Sequence, residues 1–205
     1  MSEDQELEVK FYLTNRREIE DRVRDLGASR TSIRTFEINL RFDSPDGSLT
    51  ASQKVLRLRQ DTRARLTFKG PSQNRQDVAA RQEIEFQVGD FGAARRFLEA
   101  LGYEVNVIYE KYRTTYELEN VQITLDEMPY GRFCEVEGPD AASIQSVAER
   151  LGLDWSARVM ESYMALFSSL KKRLGLSFRD LTFANFEHLS ISSEDLGVRV
   201  ANPQG

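Results

Sequence analysis

The sequence predicts an α+β fold, an inside-out barrel of eight strands whose charged faces line a lumen, with helices packed outside. Three observations predict it. Alternation of apolar and charged residues fills the first two thirds of the chain, the mark of strands with two unlike faces. The charged positions come as like-signed i, i+2 pairs, where a water-facing sheet tolerates Ser, Thr, Gln and mixed signs. Several amphipathic helices stand between the strands, enough to cover their apolar faces and leave the charges facing a lumen.

The first strand, Glu6–Leu13, sets Glu6, Glu8 and Lys10 on one face and Leu7, Val9 and Phe11 on the other. A helix over Asn15–Leu26 carries the stripe Ile19, Val23 and Leu26, and Gly27 ends it. Strands follow at Thr35–Phe42 and at Lys54–Gln60, where Arg57 and Arg59 oppose Leu56 and Leu58. Arg65–Gly70 repeats the scheme with Lys69, and Pro71–Asp77 reads as a polar loop. In Arg81–Val88, Arg81, Glu83 and Glu85 oppose Gln82, Ile84 and Phe86. The helix Phe91–Leu101 places Phe97, Leu98 and Leu101 together before Gly102. In the strand Val107–Leu118, Lys111 and Arg113 share a face opposite Tyr112. Val121–Asp126 sets Gln122, Thr124 and Asp126 against Val121, Ile123 and Leu125, and Arg132–Gly138 sets Glu135 and Glu137 against Cys134 and Val136. The helix Ala141–Leu151 has the stripe Ile144, Val147, Ala148 and Leu151 before Gly152. A last helix, Ala157–Leu174, carries Val159, Tyr163, Leu166, Phe167 and Leu170, and Asn185–Gly205 reads as a poorly ordered tail.

A repeat runs through this order. Glu6-Leu7-Glu8, Glu83-Ile84-Glu85 and Glu135-Val136-Glu137 each precede a helix ending in Leu-Gly, at Leu26-Gly27, Leu101-Gly102 and Leu151-Gly152. The units are too few and too unequal for a solenoid, so they indicate pseudo-symmetry within one domain. Taken strand by strand, the bland reading is an antiparallel sheet with its charged face in water. Taken together, three Glu-x-Glu pairs with the basic pairs Arg57/Arg59 and Lys111/Arg113 suggest a polyanion and metal ions to be neutralised.

Composition narrows the chemistry. The 205 residues carry a net charge of -5, 30% charged residues, one Cys and one His. Cys134 alone rules out an internal disulfide framework and a multi-cysteine zinc site, and it reads as a small core residue. His188 alone excludes His-rich metal sites, which leaves carboxylates, lysines and arginines to run any reaction. Mild acidity argues against nucleic acid as the main partner. No apolar run reaches the roughly 18 residues of a membrane span, and acidic Met1–Glu8 is unlike a signal peptide, so a cytoplasmic location is expected.

Glu6-x-Glu8-x-Lys10 resembles the ExExK signature of the CYTH domain, the triphosphate tunnel metalloenzyme family. Further motifs resemble that family in its order: Leu56-Arg57-Leu58-Arg59, then Leu66-Thr67-Phe68-Lys69-Gly70-Pro71, Arg81-x-Glu83-x-Glu85, and Glu110-Lys111-x-Arg113. Leu125-Asp126-Glu127 through Gly131-x-Phe133-x-Glu135-x-Glu137 is similar to its closing unit, so the likeness runs from Glu6 to Gly138. Ser162-Tyr163 and the helix after it resemble the family's C-terminal helix at one tunnel mouth. The resemblance implies an eight-stranded antiparallel β-barrel forming a tunnel, in a domain over residues 1–174 that includes the C-terminal helix. Residues 175–205 read as a partly disordered extension, and the tail after Asn185 has no counterpart in the family.

It also implies roles. A triphosphate carries about four negative charges, and its reaction needs those oxygens neutralised and a nucleophile in line. Lys10, Arg57, Arg59, Lys69, Lys111 and Arg113 are expected to hold the phosphates, with Arg81 either joining them or pairing with nearby carboxylates. Carry-over makes Glu6, Glu8, Glu135 and Glu137 the metal ligands, for Mg²⁺ or Mn²⁺ and two ions. Glu83, Glu85 and Asp126 are expected to support the second ion or orient the attacking water. The expected function is hydrolysis of tripolyphosphate, ATP or thiamine triphosphate. The alternatives are a class IV adenylyl cyclase forming cyclic AMP and pyrophosphate, and a non-catalytic polyphosphate binder. A homodimer is left open.

Overall fold

The computed structural model describes residues 5–202; the start of the acidic N-terminus and the last residues of the tail lie outside them. In chain order the elements are β1 (Gln5–Leu13), α1 (Arg16–Asp25), β2 (Ser29–Asp43), α2 (Ser48–Ala51), β3 (Val55–Gln60), β4 (Ala64–Lys69), β5 (Gln73–Arg75) and β6 (Val78–Val88). There follow α3 (Phe91–Ala100), β7 (Glu104–Leu118), β8 (Val121–Met128), β9 (Gly131–Glu137), α4 (Ala141–Arg150), β10 (Arg158–Val159), α5 (Tyr163–Leu174), α6 (Phe183–Phe186) and α7 (Ser193–Leu196).

Antiparallel pairing runs β1-β9-β8-β7-β2-β3-β4-β6, and β6 pairs back onto β1, so eight strands close into a ring. This is the expected fold. Strand alternation then sorts each strand's side chains into a lumen face and an outer face. On the outside, Val9, Phe11, Ile123, Leu125, Cys134 and Val136 pack with Ile19 and Val23 of α1 and Ile144, Val147 and Ala148 of α4 in one buried cluster. Each such fully buried aliphatic side chain contributes about 1.5–3 kcal/mol. Leu98 of α3 packs with Leu40, Phe42 and Leu58 on β2 and β3.

The repeat has a structural meaning. The three Glu-x-Glu strands β9, β1 and β6 are adjacent in the ring, and Gly27, Gly102 and Gly152 take left-handed φ values of 80°, 91° and 66° where the three helices end. Asn15, Asp90 and Asp140 cap the starts of those helices by accepting a backbone N–H three residues on.

Several expectations change. The last helix begins at Tyr163, capped by Ser162, because Trp155–Ala157 forms a single 3₁₀ turn and Arg158–Val159 pairs with Lys10 and Phe11 of β1. The polar loop contains the short strand β5, paired to Val78, Ala79 and Ala80. The tail is not disordered through residue 202. Leu181, Phe186, Leu196 and Ala201 are buried, Leu181 bridges to Tyr109, and Val200 bridges to Tyr12. Widely spaced apolar residues anchor this segment one at a time, which no helical or strand period reveals. His188 is exposed and Cys134 buried.

Candidate active site in the ring lumen

The ring encloses a cavity of about 960 Å³. It is lined by every residue of the expected set except Asp126. Strand register builds two unlike walls. On β9, β1 and β6, Glu8 lies opposite Glu137, Lys10 opposite Glu135 and Glu6 opposite Arg81. On β7, β2, β3 and β4, the lumen positions include Lys111, Arg113, Arg41, Arg57, Arg59 and Lys69. An acidic wall therefore faces a basic one.

Most of these charges are paired. Lys10 Nζ lies 2.5 Å from Glu8 and 3.3 Å from Glu135. Burial alone would lower the Lys10 pKa, but Glu8 and Glu135 outweigh it and hold the ammonium above the ordinary lysine range. Lys69 Nζ bridges Glu6 at 2.7 Å and Glu83 at 2.8 Å. Arg59 donates to Glu85 at 2.9 Å. Arg57 donates to the Tyr109 hydroxyl at 3.2 Å, to Thr67 at 3.1 Å and to Glu85 at 3.3 Å. Arg113 contacts Glu135, whose carboxyl, raised by burial, is held well below its usual range by Arg113, Lys10 and Lys111.

Glu137 stands apart. Its one hydrogen bond among the described residues comes from Gln122, at 3.3 Å. Burial first, then Glu6 and Glu8, push its pKa up to about 8. Carboxylates opposed across neighbouring strands repel, and a cation among them would relieve that repulsion. The donor set thus fits a hard divalent ion, which takes oxygen ligands. Among the described residues no three carboxylates form a finished cage. Mg²⁺ keeps several waters and takes substrate oxygens, so one or two carboxylates suffice to hold it.

Asp126 is placed differently from expectation. It is fully buried and does not line the cavity. It accepts from Arg113 Nε at 2.7 Å, from Lys111 at 3.0 Å and from the Tyr163 hydroxyl at 2.9 Å. These bonds fix two lumen-lining cations and tie α5 to the wall. Around that contact, Tyr12, Tyr130, Phe133, Phe167 and Phe186 form an aromatic cluster behind α5, beside one end of the lumen. The Tyr163 ring also lies 5.7 Å from Lys10 and 5.5 Å from Lys111, within cation–π range.

Sequence reasoning missed Glu37, Arg41 and Tyr109, all of which line the cavity. The signal was present: Thr35, Glu37, Asn39 and Arg41 alternate with Phe36, Ile38, Leu40 and Phe42 on β2. Glu37 is buried, with Lys111 and Arg59 each 3.7 Å away. Burial would raise its carboxyl, but Lys111, Arg113, Arg59 and Arg57 hold it down at about 2. Its Oε2 has no hydrogen-bond partner.

A closed antiparallel ring with an acidic wall facing a basic wall in its lumen defines the class by its fold. The chain belongs to the CYTH domain family, whose model matches residues 4–151. Members of that family are typically enzymes, triphosphatases or cyclases, that use metal. Solved structures share the fold. One is a candidate adenylate cyclase from Vibrio parahaemolyticus, 22% identical, covering 80% of this chain and 98% of that one at a TM-score of 0.72. A Pyrococcus horikoshii protein is 28% identical, with 78% and 98% covered and a TM-score of 0.66. A candidate adenylyl cyclase from Hippeastrum, described as having a dominant triphosphatase activity, is 16% identical, with 80% and 95% covered and a TM-score of 0.60. None of the curated proteins matches the chain in sequence.

Proposed function

We propose that this protein is a triphosphatase that hydrolyses an inorganic or organic triphosphate in the ring lumen with Mg²⁺ or Mn²⁺. The observation that carries the reading is the opposition of the two walls. Binding a polyanion alone requires only the basic one, whereas Glu137 lies opposite Glu8 and makes no ion pair among the described residues. Its pKa is pushed up by burial, Glu6 and Glu8, a crowding that a bound metal would relieve. On this reading Arg57, Arg59, Lys69, Lys111 and Arg113 grip phosphate oxygens, and Lys10 and Arg81 neutralise them from the other side. Guanidinium forks fix orientation while ammonium groups supply point charge. Glu6, Glu8, Glu135 and Glu137 hold the metal, which when bound neutralises phosphate charge and lowers the pKa of water. Glu83 and Glu85, at the edge of the acidic wall, orient the attacking water. Asp126 acts through Lys111 and Arg113 and is a positioning residue. A cytoplasmic location is part of this proposal. No helix among the described residues is long and apolar enough to cross a membrane.

One observation favours a second reading, cyclisation of ATP. Glu37 Oε2 is a buried acceptor without a donor beside the phosphate-facing cations, and fully ionised tripolyphosphate offers only acceptors. A ribose hydroxyl or amine would satisfy it. Incubation with ATP or tripolyphosphate and Mg²⁺ or Mn²⁺ separates the readings by product. Orthophosphate is the expected result; cyclic AMP with pyrophosphate establishes the cyclase, and absence of turnover leaves a polyphosphate binder. Glu8→Gln and Arg57→Ala are each expected to abolish turnover while the far-UV circular dichroism stays unchanged, and full activity in either removes the lumen as the site.

A further inference from the structure

Arg41 differs from the buried cations around it. Lys10, Arg57, Arg59, Lys69, Lys111 and Arg113 each meet at least one carboxylate within ion-pair distance. Arg41 lines the same cavity, yet its guanidinium makes no hydrogen bond or ion pair among the described residues. It sits on the lumen face of β2, directly across from Arg57 on β3. Its side chain is half-buried. Burial lowers its pKa; Tyr109 opposes that shift, while Arg81 and Arg57 add to it. The Nε atoms of Arg57 and Arg81 are themselves buried without a hydrogen-bond partner, Arg81 Nε having only Glu6 at 3.9 Å. A partly desolvated guanidinium crowded by two others is unfavourable unless an anion joins them.

We propose that Arg41, with Arg57 and Arg81, forms an anion subsite that takes a phosphoryl group of the bound chain. An arginine can offer two parallel N–H donors to one phosphate. Arg57, Arg59, Lys69, Lys111 and Arg113 must be shared with carboxylates, whereas Arg41 is not. Unlike the equally unpaired but exposed Lys54 it is half-buried, so its charge is available to a ligand inside the lumen. The subsite deepens the lumen reading and rests on it, because an anion must first enter the ring.

The test separates the two claims. Tripolyphosphate binding is measured by calorimetry in EDTA, which prevents turnover, for the wild type and for Arg41→Gln and Arg41→Lys. Melting of each protein without ligand is recorded beside it. Arg41→Gln should bind about tenfold more weakly, the loss of charge-assisted hydrogen bonds. Arg41→Lys should recover part of that affinity as a point charge. The ligand-free melting temperature of Arg41→Gln should equal or exceed that of the wild type, since like charges are being separated. Unchanged tripolyphosphate affinity in Arg41→Gln, or a lower ligand-free melting temperature, overturns the subsite and leaves the lumen reading standing. A wild type that binds no tripolyphosphate in EDTA or with Mg²⁺ overturns both.

Discussion

Replacing Asp126 by Asn probes how the basic wall is held. Asp126 accepts from Arg113 Nε at 2.7 Å, Lys111 at 3.0 Å and Tyr163 at 2.9 Å, with no exposed surface. The amide removes the charge, leaving Lys111 and Arg113 buried with Glu37 and Glu135 as their remaining acids. Its NH₂ is also turned toward donors on at least one side. Removing one partner of a buried pair costs about 3–5 kcal/mol. The Tyr163 hydrogen bond belongs to that same loss and is not added to it. In a chain of this size each kcal/mol moves the melting temperature by about 2–4 °C, so Asp126→Asn should melt about 6–20 °C lower. Far-UV circular dichroism on heating measures the shift, and urea melts check that the slope is unchanged. A drop below about 2 °C would refute the reasoning, because the cations would then have found compensation elsewhere. Tyr163→Phe serves as the smaller step: it removes one hydrogen bond to a carboxylate, about 1.5–3 kcal/mol, and leaves both ion pairs.

Other outcomes follow from the same geometry. Without metal, burial and the neighbouring Glu6 and Glu8 push the Glu137 pKa from its ordinary 4.5 up to about 8. The folded state therefore binds more protons between those values, so this group's stabilisation is full below pH 4.5 and is lost as pH rises through 8. Melting temperatures should fall over that range, and saturating Mg²⁺ should flatten the fall; a rise with pH in EDTA contradicts the repulsion. At fixed pH, Mg²⁺ with tripolyphosphate should raise the melting temperature, by linkage about 2.7 kcal/mol at a hundred times the dissociation constant. Leu181→Ala should destabilise the protein by about 2–5 kcal/mol in urea, because Leu181 is fully buried and bridges the ring at Tyr109. An unchanged urea midpoint would mean that the segment after α5 does not brace the ring.

What was legible in the sequence follows from the period of the strands. Glu6, Glu8 and Lys10 share one face by alternation alone, and the Leu-Gly ends of three helices carry their own stop signal. The ring's closure is a long-range property: β1 pairs with β6 and β9, which are distant in sequence. Resemblance supplied what local pattern could not. Glu37 and Arg41 escaped because β2 carries no doublet of like charges, although its alternation points both inward. Asp126 shows the limit of reasoning by face. Alternation placed it with the lumen residues, but Tyr163 from α5 and the side chains of Lys111 and Arg113 cover it. The ordered tail was invisible for another reason. Leu181 lies outside any helix or named strand, and Phe186 and Leu196 end four-residue helices too short to show a period, so packing against α5 and the ring holds them.

The central claim is that metal and triphosphate meet inside the ring, between the two walls. The most direct measurement is anomalous diffraction from crystals grown with Mn²⁺ and tripolyphosphate. A manganese peak is expected against Glu6, Glu8, Glu135 or Glu137, with the phosphate chain on Arg57, Arg59 and Lys69. Manganese and tripolyphosphate bound only on the outer surface, with the lumen holding neither, would contradict it.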